Sequence, residues 1–304
     1  MQKPSTARFI LTSIISTVIT VLFMFLGAPF LRVLRNTFGP LKFWSVGFIT
    51  TAIFWGIQMQ PSALLTLATW VVVGLYCEAE ERGRAGLLAA GLSVAVSSAI
   101  FIVGVMAWAS HMGISLEQLM SEGIENLISQ FSAGKSQAPV LKIDPKMIIE
   151  QTPSAVVLLM MTSLAFALML DRKTGLMLGL RFEKIATHMR LMEFKLPDAF
   201  IWITMFSFLL SFLKLQPTWI GVVGSNVFNV MMGLYFFQGL AVLEVSFLVF
   251  RVGNFVKFLV YFFIVGQLFL LLSAVGVIDY WVDFRARMRR LRKPERNQNN
   301  GEHV

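Results

Sequence analysis

The chain reads as a succession of apolar runs separated by short polar breaks. The first run covers Phe9 to Phe30 and closes at Gly27-Ala28-Pro29, with Arg32, Arg35 and Lys42 beyond it. The second covers Phe43 to Ile57 and the third Ser62 to Tyr76, on either side of Gln58-Met59-Gln60-Pro61. Both are shorter than the roughly 20 residues that span a bilayer. They predict a tight helical hairpin or two tilted helices joined by a kink. The charged stretch CEAEERGR (Cys77–Arg84) follows, with Glu78/Arg82 and Glu80/Arg84 spaced to pair on one helix face. In the fourth run, Ala85 to Ala109, Gly91, Ala95 and Ala99 recur every fourth residue. Such a stripe lets a second helix approach closely, so this helix is expected to pack in the interior.

The longest polar segment runs from His111 to Gln151. Ser115 with Gln118 matches a capping box. Leu116, Leu119, Met120, Leu127, Ile128 and Phe131 then follow helical spacing, which predicts a short amphipathic surface helix. Asp144-Pro145 reads as an N-cap followed by proline at the first helical position, ahead of a fifth span over Pro153 to Leu170. Between Asp171 and Lys195, Leu178, Phe182, Ile185, Met189 and Met192 form one stripe flanked by basic residues. An interfacial helix on an anionic leaflet is expected there, with a docking surface for a partner helix as the alternative. Pro197 opens a sixth span that ends near Lys214. Thr218 to Phe250 contains no strong charge except Glu244. As one helix it would measure about 50 Å against a hydrocarbon core of about 30 Å, so a break is expected at Gln238-Gly239. A turn at Arg251 to Asn254 leads into a last span, Phe255 to Ile278.

The resulting organisation is N-terminal membrane helices over 1–110, a polar, partly amphipathic extramembrane segment over 111–152, C-terminal membrane helices over 153–280 with a basic amphipathic loop at 172–196, and a basic, disordered cytoplasmic tail expected over 281–304. The fold class is all-α, a polytopic transmembrane bundle of about 8–9 membrane helices with one or two amphipathic interfacial helices. Placing both the 172–196 loop and the tail in the cytoplasm favours an odd total of about nine crossings. It also puts the loop carrying Arg32, Arg35 and Lys42 inside. Composition agrees: mean hydropathy is +0.71 and 14% of residues are charged, against about 25% in soluble domains. The net charge of +9 is concentrated in the tail, where Arg285, Arg287, Arg289, Arg290, Arg292, Lys293 and Arg296 crowd together. In a multi-pass protein that cluster reports orientation, and no nucleic-acid recognition motif accompanies it. Cys77 is the only cysteine, which excludes an intrachain disulfide and a Cys/His metal set. The first run is too long for a signal-peptide core and reads as a retained helix.

Candidate chemistry concentrates in GSNVFNVMMGLYFFQGLAVLEV (Gly224–Val245). Asn226, Asn229, Gln238 and Glu244 are polar groups in a presumed span, and an intramembrane carboxylate is a functional candidate by default. On one continuous helix Asn226 and Glu244 lie about five turns apart and point the same way, whereas Gln238 does not. The alternative is structural: the asparagines bond to neighbouring helices, and Glu244 pairs with Arg251 or Lys257. Ser13, Ser16 and Thr20 of the first span and Gln267 of the last form weaker polar positions. No catalytic motif is present, and no cofactor or metal site is expected.

The phrases FKLPDAFIW (Phe194–Trp202), NVFNVMMGLYFFQGLAV (Asn226–Val242) and VGVIDYWVDFR (Val275–Arg285) resemble the YybS-like family of bacterial polytopic membrane proteins. The resemblance is closest around Gln238-Gly239 and from Asp279 through Arg285. It implies a multi-pass protein of the bacterial plasma (inner) membrane. The family is distantly similar to the substrate-binding subunits of energy-coupling-factor transporters, which bind small molecules in a helical bundle. No ligand residue is carried over from that similarity; the polar residues of the span lead to the expectation of a small-molecule-binding or transport-related membrane subunit, with Asn226, Asn229, Gln238 and Glu244 around its ligand. The rival is a non-transporting scaffold or regulator that docks a membrane protein partner through its basic loop and tail. The bilayer is a partner under both readings.

Overall fold

The computed structural model describes residues 5–84, 86–123, 145–180, 191–213 and 217–292. Among these residues the secondary structure is helical, with no strand. The chain divides into two compact units, Met1–His188 and Met189–Val304.

The first unit contains α1 (Thr6–Phe38), α2 (Pro40–Gly56), α3 (Gln60–Glu81), α4 (Leu87–His111), a helix over 116–123 (α5) and α6 (Pro145–Met177). Its centre is α3, which packs against α1, α2, α4 and α6. The most apolar stretch of α3 is 67% buried, against 22% for those of α1 and α4. Trp70 is fully enclosed and donates to the Phe43 carbonyl of α2 at 3.1 Å. The expected α2–α3 hairpin forms, and it turns at Gln58, which takes a φ of 63°. The capping box also forms: Gln118 N donates to Ser115 Oγ and Ser115 N to Gln118 Oε1, each at 3.1 Å. Pro145 opens α6 as expected, while Asp144 and Leu127, Ile128 and Phe131 lie outside the described residues.

Two expectations for this unit are corrected. Pro29 does not end α1. The helix bends at Phe23–Met24, in the turn where the proline ring crowds the backbone, and then continues to Phe38. Arg32 and Arg35 are therefore buried helical residues rather than part of a loop. The small-residue stripe of α4 does not face the interior either. Gly91, Ala95 and Ala99 are exposed, and the buried face carries Ser93, Val94, Ser97 and Ser98. A hydroxyl can join helices where a methyl only packs: Ser97 Oγ donates to the Ala68 carbonyl of α3 at 2.6 Å.

The second unit contains a short 3-10 turn (Leu191–Glu193), α7 (Ala199–Phe212), α8 (Trp219–Val249), α9 (Asn254–Gln267), α10 (Phe269–Val282) and α11 (Phe284–Arg292). Its centre is α8, which packs against α7, α10, α11 and the 3-10 turn. The expected break at Gln238-Gly239 is absent, because α8 runs continuously for 31 residues. Gly239 instead marks the point where α8 crosses α10. A Cβ there would collide with the Leu272 carbonyl oxygen, and one at Gly276 would collide with that of Tyr235. Only hydrogen side chains permit that approach. The interruption lies in the last span, where Leu268 leaves helical geometry between the 14-residue helices α9 and α10. Of the expected amphipathic stripe, Leu178 lies past the end of α6, beside Gly179 with its φ of 65°, and Met192 sits in the 3-10 turn. Residues 181–190 lie outside the described set, and the expectation of a disordered tail is corrected for Phe284–Arg292, which form α11 because Arg285 is tied to Asp279, while 293–304 lie outside the described residues.

Among the described residues, five helices are long and apolar enough to cross a membrane: α1, α3, α4, α6 and α8. The shorter apolar helices α7 and α10 accompany them.

Candidate functional site

Each unit buries one knot of charge. In the first, α1 carries Arg32 and Arg35 one turn apart on its inward face, 2% and 1% exposed. Arg32 Nε lies 2.9 Å from Asp171 Oδ2 of α6, and Arg32 Nη2 lies 2.9 Å from Glu80 Oε2 of α3. The same guanidinium stands 5.6 Å from the centre of the Tyr76 ring. Arg35 holds Glu81 in a fork, at 3.1 and 2.9 Å. Glu78 accepts from Trp44 Nε1 of α2 at 2.7 Å. One knot thus ties four helices. The expected pairs Glu78/Arg82 and Glu80/Arg84 give way to these interhelical partners. Nothing in the local spacing announces them, because Asp171 reads as the start of a basic loop and Arg32 as its counterpart after Pro29. The usable signal is three acids in four residues (Glu78, Glu80, Glu81) at the end of an apolar run. So dense a cluster at a membrane helix end needs cationic partners.

The knot of the second unit is assembled from the three phrases that carry the family resemblance. Gln238 of α8 is 1% exposed and fully engaged. Its Oε1 accepts from Leu196 N at 3.1 Å, and its Nε2 donates to the Gly276 carbonyl at 3.1 Å and to Asp279 Oδ2 at 3.4 Å. Asp279 of α10 is enclosed and pairs with Arg285 of α11 through Nε at 3.0 Å and Nη2 at 2.9 Å. Arg285 Nη1 donates to the Phe194 carbonyl at 2.7 Å. Asp279 Oδ1 is a buried acceptor without a hydrogen-bond partner. Asp283 makes this possible. It adopts a left-handed conformation (φ 47°, ψ 57°) at the end of α10, and the reversal returns Arg285 toward Asp279. The geometry fixes the segment 194–196 and α11 onto α8.

The four candidate residues of α8 are not gathered around one point. Because the helix is continuous, Gln238 lies about 120° around it from the line of Asn226 and Glu244. Asn226 is half-buried and its Nδ2 donates to the Val222 carbonyl of its own helix at 2.8 Å. Asn229 is half-buried as well. Glu244 accepts from the Tyr261 hydroxyl of α9, not from Arg251 or Lys257, and Lys257 instead stands 5.7 Å from the centre of the Phe247 ring. Ser13 and Thr20 of α1 are buried and bond to carbonyls of their own helix, the usual role of hydroxyls in membrane helices. Gln267 is exposed.

An open recess of about 290 Å³ lies beside the second knot, lined by Met192, Glu193, Lys195, Asp283, Arg285, Ala286 and Arg289. None of the four α8 candidates lines it. Among the described residues, no group of three or more His, Cys, Asp or Glu side chains could hold a metal ion.

No curated protein and no solved structure matches the chain. One family model does, and it covers residues 5–280, from the start of α1 to the Asp279 knot. The chain thus belongs to the family described as predicted membrane protein (DUF2232), and it is a multi-pass membrane protein whose apolar helices are tied by two buried knots of charge.

Proposed function

We propose that the chain is a non-transporting scaffold or regulatory subunit of the bacterial plasma membrane, with its C-terminal tail in the cytoplasm. One observation carries this reading. Gln238, Asp279 and Arg285 bond to one another and hold α11 and the 194–196 segment in place, and the recess beside them opens at the basic end of the unit. The concentration of arginines at that end supports the cytoplasmic assignment. A partner protein would dock at the recess, where Lys195 and Arg289 stand beside Glu193 and Asp283.

The carrier reading requires a ligand at the half-buried side of α8 that bears Asn226, Asn229 and Glu244. The Glu244–Tyr261 contact is the observation in its favour, because it places a carboxylate between two apolar helices. Native mass spectrometry in mild detergent separates the two. The scaffold reading expects the full chain to carry lipid and protein partners but no stoichiometric small molecule. A small molecule lost on Glu244→Gln or Asn229→Ala, at unchanged accumulation of the protein, would establish the carrier instead.

A further inference from the structure

The helix α11 presents two chemically different faces, and only one of them belongs to the Asp279 knot. Its inward face is fixed by Arg285 on Asp279 and the Phe194 carbonyl, by Arg289 on the Met192 carbonyl at 3.2 Å, and by Met288, whose sulfur accepts from Ser246 Oγ of α8 at 3.2 Å. On a helix of 3.6 residues per turn, Arg287 and Arg290 then lie about 160° and about 140° around the axis from Arg285. Both are exposed. The direction of this pair is set by the knot rather than by its own contacts.

Their position along the unit is also set. α11 begins directly after Asp283, which ends the apolar helix α10. The last turn of α10 carries Trp281, 61% exposed. The neighbouring end of α8 exposes Phe250 and Arg251, about one turn beyond the Ser246 that touches Met288. Exposed aromatic rings beside exposed arginines at the end of an apolar helix are the arrangement that sits at the headgroup level of a bilayer. The exposed carboxylates nearby, Glu193 and Asp283, belong to the recess side. Asp283 Oδ1 accepts from Ala286 N at 3.4 Å.

We infer that the outward face of α11, Arg287 with Arg290, is a docking surface for the anionic phospholipids of the adjoining leaflet. Phosphate oxygens would be held by the guanidinium groups and Trp281 would sit among the glycerol backbones. The cationic row is complementary to an anionic leaflet. It is rigidly aimed because Arg285 on the opposite face is locked to Asp279. The inference requires α10 to lie in the membrane and does not depend on the scaffold reading.

The test is native mass spectrometry of the full chain released from nanodiscs of equal parts phosphatidylglycerol and phosphatidylcholine. The protein is expected to retain phosphatidylglycerol in preference. The variant Arg287→Gln/Arg290→Gln is expected to lower that preference about fivefold per charge removed. The variant Arg287→Lys/Arg290→Lys is expected to keep it, since a leaflet responds to charge, whereas a bidentate protein site would not accept lysine. Neither variant touches the inward face, so folding is checked by an unchanged thermal midpoint. Equal retention of the two lipids by the natural chain, or an unchanged preference in the glutamine variant, overturns the inference. Loss of preference in the lysine variant also overturns it, as does a dimer that the glutamine variant dissociates, because the face would then serve a protein partner or a second copy.

Discussion

The two buried knots solve one physical problem in different ways. In the first unit, two arginines meet three carboxylates, Arg32 with Glu80 and Asp171 and Arg35 with Glu81, and a fourth, Glu78, accepts from Trp44. In the second, one arginine meets one carboxylate, and neutral groups supply the remaining bonds: Gln238 Nε2 to Asp279, and the Phe194 carbonyl to Arg285. The first knot grades outward, with Asp171 and Glu80 8% and 10% exposed and Glu81 45%. The second is closed around its carboxylate, with Asp279 at 0%. A charge-rich knot that reaches the surface tolerates imbalance because water reaches its outer members. A closed one must balance internally, and breaking one partner of a buried pair costs far more than the intact pair contributes.

This difference ranks the effects of substitution. The largest is expected for Arg32→Leu, which leaves the two nearly buried carboxylates of Glu80 and Asp171 without their cation. A loss of about 3–5 kcal/mol is expected, read as a fall in the thermal midpoint of the detergent-solubilised protein. Adding Glu80→Gln and Asp171→Asn should recover a large part of it. If Arg32→Leu costs nothing, the pairs are not the tie between α1, α3 and α6. Asp279→Leu ranks next, at about 3 kcal/mol, because Arg285 keeps the Phe194 carbonyl and its helix can swing outward. Released α11 should become accessible to limited proteolysis while the first unit keeps its resistance. Equal protection of α11 in both proteins would show that Arg285 does not hold it.

Much of this architecture is legible in the sequence where the signal is local. The capping box Ser115–Gln118, the α2–α3 hairpin and the proline at the start of α6 depend on neighbours within about one turn, and each forms. What is not legible depends on distant partners. Pro29 suggests a helix end, yet a helix packed on its neighbours continues past a proline because those neighbours support the freed turn. Gln238-Gly239 suggests a break because the run is too long for a straight crossing, but a long helix can tilt or extend beyond the apolar layer. The glycine is required by α10, and the glutamine by Leu196, Gly276 and Asp279. Those four contacts come from residues dozens of positions away, so no window on α8 alone reveals them. The stripe on α4 misleads for the same reason: small residues permit close packing on two faces, and only the position of α3 decides that the serines are used.

The smallest expected effect sharpens the comparison most. Arg35→Lys keeps the charge opposite Glu81 but removes the fork that makes both bonds at once. Glu81 is nearly half exposed, so solvent screens the pair, and a loss of only about 1 kcal/mol is expected. The corresponding change in the second unit, Arg285→Lys, acts on Asp279, whose carboxylate is fully enclosed. A lysine cannot reach Asp279 with two nitrogens and the Phe194 carbonyl with a third, so a buried acceptor is left without its donor. Its cost should exceed that of Arg35→Lys by about 1–3 kcal/mol, the range for an unsatisfied buried group. Thermal midpoints of the two variants, compared with the natural chain in one detergent, give the difference directly. If the two lysine variants lose equally, exposure is not what distinguishes the knots, and the graded first unit and the closed second unit must be held by packing alone.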